Sequence, residues 1–267
     1  MSNTLIHASA FNDIASLRAR TLSNNIVWLE SLGCSVSRDG GIVNVDHPIL
    51  REFKACLVVS DHSENLSQLK SIVAETAGDP EKAKNIYLDE STVNNSLREF
   101  LDEAGFKPIL SSIVTVVAVG QGSLSTEISL ERAPYSEREN WFAMYAEGFD
   151  RNKDASIEER LRRWGNAFDS AHVENWFFVE RGQRIGVCQT CTANGLVGLY
   201  SFTLIPQHRR IRKLLMSVRS LRAKLLADGV DLAYFERVQG IGLPHRRVMP
   251  LKRFAAIREF TVYHRIP

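Results

Sequence analysis

Cysteine is scarce in this chain, with four in 267 residues. Only Cys188 and Cys191 lie close together, as a CxxC inside the strand-like run IGVCQTCT. Residues three apart on a strand point to opposite faces. No second CxxC or nearby His completes a zinc set. Reduced structural thiols, no bound metal and a cytoplasmic setting are therefore expected. Long apolar runs are also missing, since none approaches the ~18 residues of a membrane span. The segment MSNTLIHASAFND lacks the charged-then-apolar pattern of a secretion signal. No membrane partner is expected.

What is present suits a soluble α/β protein of one or two domains, with 44% hydrophobic residues. The formal charge is only +2, but it is uneven. From Pro206 onward there are eleven Arg and three Lys against two Asp and two Glu, a net of +10, so the rest carries −8. A basic end on a near-neutral chain suggests a polyanionic partner, a nucleotide cofactor or RNA, or else a basic surface with no dedicated ligand.

Periodicity lays out the elements. Helices are expected over 10–22, 66–77 and 93–104, the last closed by Gly105 as a left-handed cap. Strands are expected over 55–60, 85–89 and 108–119, with a turn at Asp39-Gly40-Gly41. The small polar run Gly120-Gln121-Gly122-Ser123 marks a boundary between domains 1–120 and 121–267. Beyond it come a strand at 125–130, helices at 136–147 and 157–168, and a hairpin across Arg181-Gly182-Gln183. A strand at 196–205, a basic helix, a strand at 231–237, a helix near 247–257 and a strand at 260–265 follow. The fold expected is a mixed central β-sheet flanked by helices, in two domains. Trp141, Trp164 and Trp176 fit core packing or an acceptor groove, core packing first.

The most informative stretch is GLYSFTLIPQHRRIRKLLMSVRSLRAKLLADG, from Gly198 to Gly229. An apolar strand stops at Pro206, a basic loop follows, and then an amphipathic helix carries Ile211, Leu214, Leu215, Val218, Leu221 and Leu225 on one face. Strand, basic loop and helix start together offer free N–H groups and cations to a phosphate.

On these residues, positions 125–267 resemble the GNAT acyltransferase superfamily. Leu204-Ile205-Pro206 matches its strand end, Arg209 its loop Arg, and the Pro206-to-Gly229 spacing fits without a gap. The resemblance implies a donor site for acetyl-CoA or another acyl-CoA at Leu204, Arg209, Arg210, Ile211, Arg212, Lys213 and Leu214. Arg210, Arg212 and Leu214 stand where that superfamily has glycines, which let backbone N–H groups approach a pyrophosphate. Here side chains crowd that approach, or bind phosphate themselves by charge-assisted hydrogen bonds. Residues 94–106, NNSLREFLDEAGF, resemble the late helix of the same superfamily. The loop after the 55–60 strand, SDHSENLSQ, is acidic and unsuited to phosphate. Residues 1–120 thus resemble a degenerate, partial copy in a tandem arrangement.

The resemblance implies an N-acyltransferase that moves an acyl group, other than an aminoacyl group as first choice, to an amine of a small molecule or amino acid. A backbone N–H on the strand of Leu204 would stabilise the oxyanion, with the acyl group between strands that part near Leu204 and Phe235. The superfamily's frequent acid, a Tyr on the last helix, falls near Phe254, which cannot donate a proton. Tyr200, Tyr234, Glu236 and Tyr263 remain as catalytic candidates, Glu236 as base or else as a surface partner of Arg237 or Arg253. His208 would help bind an anion or simply be exposed. Two alternatives stay open. One is the same fold taking its acyl group from a charged tRNA or acyl carrier protein, with Arg209, Arg212, Arg219, Arg222, Arg246, Arg247 and Arg253 along an RNA backbone. The other is a non-catalytic binding or sensor module.

Overall fold

The computed structural model describes residues 13–48, 54–60, 65–76, 84–91, 94–120, 127–149, 166–238 and 254–265. Their contacts divide the chain into two units. The first comprises residues 1–32, 116–235 and 243–255, and the second 33–115, 236–242 and 256–267.

The first unit opens with helix α1, Ile14–Ser31, whose N-cap Asp13 accepts a hydrogen bond from the Ser16 N–H. The helix runs well past the expected end at Leu22, because Ser23-Asn24-Asn25 does not break it. Instead Asn24 turns into the unit's interior, where it is fully buried. The unit's strands are β6 (Ile128–Arg132), β7 (Val173–Glu180), β8 (Gln183–Ala193), β9 (Leu196–Leu204) and the first part of β10 (Leu232–Val238), whose residues from Glu236 on fall to the second unit, in the spatial order β10-β9-β8-β7-β6. The hairpin expected across Arg181-Gly182-Gln183 is present, but its turn is only Arg181 and Gly182, both at positive φ, with Gln183 already in β8. Helix α4 (Arg138–Phe149; α2 and α3 belong to the second unit) follows a 3₁₀ turn at Tyr135–Glu137. The short α5 covers Asn166–Asp169, so the helix expected over 157–168 is described only at its end. Helix α6 is Ile211–Ala227.

The buried stripe of α6 is Met216, Ser217, Ser220, Leu221 and Leu225, while Ile211 is 53% exposed. This stripe is rotated from the all-aliphatic face that the sequence suggests. Small serines permit close approach to the sheet, and Ser220 donates to the Ile128 carbonyl at 2.7 Å. The core beneath α6 includes Trp176, Phe178, Cys188, Val197 and Ala233. Trp141 is also fully buried and donates to the Trp176 carbonyl at 3.1 Å, so Trp141 and Trp176 pack the core; Trp164 lies outside the described residues.

The second unit holds β1 (Ser35–Asp39), β2 (Ile42–Asp46), β3 (Ala55–Val58), α2 (Asn65–Thr76), β4 (Asn85–Asp89), α3 (Asn95–Glu103), most of β5 (Phe106–Ala118) and most of β11 (Phe254–Arg265). The strand order is β1-β2-β3-β4-β11-β5, with β3 parallel to β4 and β11 antiparallel to it. Asn94 caps α3 through the Leu97 N–H at 3.2 Å, and Gly105 ends it at φ +80°, a conformation that favours glycine. The helix expected near 247–257 is corrected at its end, where Phe254 onward is strand. Ile257, Phe260 and Val262 are buried along β11, and its residues Phe260–Tyr263 pair with Asp89–Ile86. Residues 247–253 lie outside the described residues. Inside this unit Arg258 Nε lies 3.0 Å from the fully buried Asp89 carboxylate.

All four cysteines are free and buried. Cys188 belongs to the core under α6, whereas the Cys191 Sγ reaches toward the Asn24 carbonyl of α1, so the pair does point to opposite faces. Burial pushes the Cys191 thiol up to about 12, which leaves it inert.

Candidate functional site

Strand β9 carries the features that matter. It pairs in parallel with β10 at three positions only, Val197↔Ala233, Gly198↔Tyr234 and Leu199↔Phe235. From Tyr200 to Leu204 it pairs with β8 alone among the described residues. The β8–β9 register shifts between Val187 and Gln189, and Ser201 takes φ +51°. This β-bulge bends the strand where its second neighbour is lost.

The direction of the next free N–H follows from ladder alternation. The Ile205 N–H bonds the Ile185 carbonyl at 3.0 Å, so Ile205 faces β8. The adjacent Leu204 must then direct its N–H and C=O away from β8, to the side where pairing with β10 has ended. The Leu204 carbonyl is used, since it accepts from Arg209 Nε at 3.1 Å. Arg209 also donates to the Gly148 carbonyl at the end of α4, which Thr203 Oγ1 reaches at 2.8 Å. A Cβ on Gly148 would lie 2.3 Å from Thr203 Cγ2, so only glycine fits that approach. Arg209 is thus a clamp on two carbonyls.

The rest of the basic loop is partly neutralised from within. Pro206–His208 forms a 3₁₀ turn, with the Arg209 N–H on the Pro206 carbonyl and the Arg210 N–H on the His208 carbonyl. Intrahelical bonding of α6 begins with the Leu214 N–H on the Arg210 carbonyl, and Arg210, the N-cap residue, makes no side-chain cap. The N–H groups of Ile211, Arg212 and Lys213 therefore form the open first turn, the end of the helix dipole that attracts anions. Arg212 pairs with Glu127 at 3.0 Å, and Lys213 with Glu180 at 2.5 Å. Arg210 is exposed and has no partner among the described residues. The positions that the resemblance assigns to glycine carry Arg210, Arg212 and Leu214 here, so side chains surround the first helical turn.

The catalytic candidates divide. Tyr200 and Tyr234 come together, both buried, with their hydroxyls in contact. Both donate to Asn24 Oδ1, at 3.2 and 2.9 Å. Asn24 Nδ2 donates in turn to the carbonyls of Cys191, Ala193 and Leu196 at 3.0, 3.2 and 3.0 Å. Trp28 stacks on Tyr200 with centroids 4.1 Å apart. Burial, then the neighbouring Tyr234, pushes the Tyr200 phenol well above its ordinary range. Sequence reasoning missed Asn24, since a lone Asn in a helix carries no pattern. Glu236 follows Phe235 on β10. Glu236 is exposed at its surface, yet desolvation raises its carboxyl above the usual range, while a hydrogen bond from Ser112 pulls the other way. Tyr263 packs in the core of the second unit, where it pairs with Ile86. Burial raises its phenol too, and an Arg98 hydrogen bond opposes that shift.

Of the arginines read as an RNA track, Arg209 holds carbonyls, Arg212 holds Glu127, and Arg222 bonds the Val119 and Gly120 carbonyls. Arg219 is exposed, and Arg246, Arg247, Arg253 and His245 lie outside the described residues. His208 is largely buried beside Lys213, and His264 contacts Asn85. Among the described residues no group of three His, Cys, Asp or Glu could hold a metal ion, and no helix is long and apolar enough to cross a membrane.

No family model and no curated protein matches the chain by sequence. Solved structures do match. A GCN5-related N-acetyltransferase from Kribbella flavida aligns with a TM-score of 0.63 at 15% identity, over 91% of this chain and 95% of that one. A protein of unknown function from Staphylococcus epidermidis aligns at 0.60 and 7% identity, over 86% and 93%. A tandem GNAT protein from the clavulanic acid biosynthesis pathway aligns at 0.56 and 13% identity, over 87% and 82%. The mixed α/β fold is therefore that of GNAT acetyltransferases, a tandem GNAT protein among them.

Proposed function

We propose that the chain is an N-acyltransferase that takes its acyl group from a pantetheine thioester, acetyl-CoA or another acyl-CoA, and delivers it to a primary amine of a small molecule or amino acid. The observation that carries this reading is the Leu204 N–H, turned to the side where β9 has lost its β10 partner. A donor fixed by the backbone and aimed into a parted pair of strands suits a carbonyl oxygen that gains charge.

In this reading the acceptor amine attacks the thioester carbonyl as Glu236 takes its proton. A C–N bond forms, and the oxyanion is held by the Leu204 N–H. Collapse of the intermediate breaks the C–S bond and releases the thiolate. A thiol of pKa about 8.5 leaves without an acid, so a Tyr at the position of Phe254 is dispensable. A carboxyl raised by desolvation is a better base near neutrality than an ordinary one. Tyr200 and Tyr234 brace β9 and β10 from the α1 side in this scheme. The donor's phosphates would meet Arg210 and the first turn of α6.

The test is mass-spectrometric detection of an acylated amine from acetyl-CoA and a panel of amino acids and polyamines. Turnover lost in Glu236→Gln supports the assignment. No acylated product across the panel, with intact folded protein, overturns it.

A further inference from the structure

The ion pair between Lys213 and Glu180 differs from its neighbour. Arg212 and Glu127 are 77% and 54% exposed, a surface pair that a ligand displaces at little cost. Lys213 and Glu180 are 22% and 18% exposed, and the 2.5 Å contact holds the Glu180 carboxyl below its ordinary range. Lys213 Nζ also sits 2.7 Å from His208 Nδ1, and His208 is only 12% exposed. Lys213 belongs to the first turn of α6, whose N–H groups attract anions. The most sheltered cation beside that turn is therefore already matched by a carboxylate from the end of β7.

We propose that Glu180 is a built-in competitor for the donor's phosphate, and that it sets the donor class. This inference rests on the acyl-transfer reading above. A diphosphate can use Lys213 only by taking it from Glu180, which leaves a carboxylate behind without its cation. A donor held by its acyl-pantetheine arm pays no such penalty. The protein thus draws its donor affinity from the arm along β9 and little from phosphates. Glu180 is a specificity determinant and touches no reacting atom.

Titration calorimetry with acetyl-CoA, acetyl-pantetheine and inorganic pyrophosphate separates the terms. Glu180→Gln should bind acetyl-CoA and pyrophosphate about tenfold tighter, the scale of one charged hydrogen bond regained. Its affinity for acetyl-pantetheine should not change. In a Lys213→Met background the same substitution should add nothing. Glu180→Asp, which withdraws the carboxylate by one methylene, should shift acetyl-CoA binding the same way by about threefold, and it serves if the Gln variant does not fold. Wild-type binding of both thioesters with no gain in either Glu180 variant overturns the role of Glu180 alone. No binding of either thioester by wild type or variant overturns the acyl-transfer reading as well.

Discussion

Strand β3 with helix α2 and strand β9 with helix α6 follow one plan, a strand leading through a loop into a helix, beside a parallel neighbour. They differ in how far that neighbour extends. Strand β3 pairs with β4 along its whole length, from Ala55↔Asn85 to Val58↔Leu88. Strand β9 pairs with β10 for three residues and continues for five more with β8 alone among the described residues. A fully paired strand has no backbone group to offer a ligand, whereas an outrun strand does. The acidic loop after β3 and the basic loop after β9 agree with this division. The two strand–loop–helix segments thus differ in strand pairing as well as in loop charge.

The largest effect should come from Glu236, next on β10 after the last paired residue. Glu236→Gln should lower kcat about 10²–10⁴-fold, the usual scale of lost general-base catalysis. Its carboxyl is raised in the folded state, so the charged form is penalised there. That penalty enters as pH rises from the ordinary carboxylate range through the raised value. The Gln variant should therefore match or exceed wild-type melting temperature at neutral pH, measured by calorimetry. A variant both inactive and destabilised would point to a structural role.

Asn24 fixes β8, β9 and β10 through five hydrogen bonds. Asn24→Ala strands several buried polar groups and should cost at least about 3 kcal/mol, read by urea denaturation. A loss below about 1 kcal/mol would mean that β9's unpaired end is held by other means.

The third test probes the comparison itself. An ester in place of the Leu204 amide, made with the α-hydroxy analogue of leucine in cell-free translation, replaces that N–H by an oxygen and leaves every side chain in place. It should lower kcat about 10²-fold with little change in stability. The same ester at Val58 should cost about 1 kcal/mol of stability, because the Val59 N–H bonds Gly41 and Val58 must therefore face β4. Equal stability losses at both positions would erase the distinction. The smallest effect should be that of Ser112→Ala. It removes the hydrogen bond that lowers Glu236 and should move the acid limb of the pH–rate profile upward by less than about one unit.

Much of the fold was legible because periodic segments carry it. The β7–β8 hairpin, the Gly105 cap and the strand ending before Pro206 are local in sequence and appear where expected. What was not legible depends on pairs far apart in the chain. Glu127 and Glu180 meet Arg212 and Lys213 only because β6 and β7 end beside α6, and nothing in a charge count foretells it. Asn24 meets Tyr200 and Tyr234 across 176 and 210 residues. The helix expected through Ile257 failed at its end because Phe254–Arg265 forms one strand between β4 and β5, neighbours more than a hundred residues away in sequence.

Thermal melting with acetyl-CoA tests the central claim most directly. Ligand at about 100 times its dissociation constant adds about 2.7 kcal/mol to the folded state. For a chain of this size that corresponds to a rise of roughly 5–10 °C. The account predicts such a saturable rise, reproduced by acetyl-pantetheine. A flat melting temperature with both thioesters at millimolar concentration would contradict it.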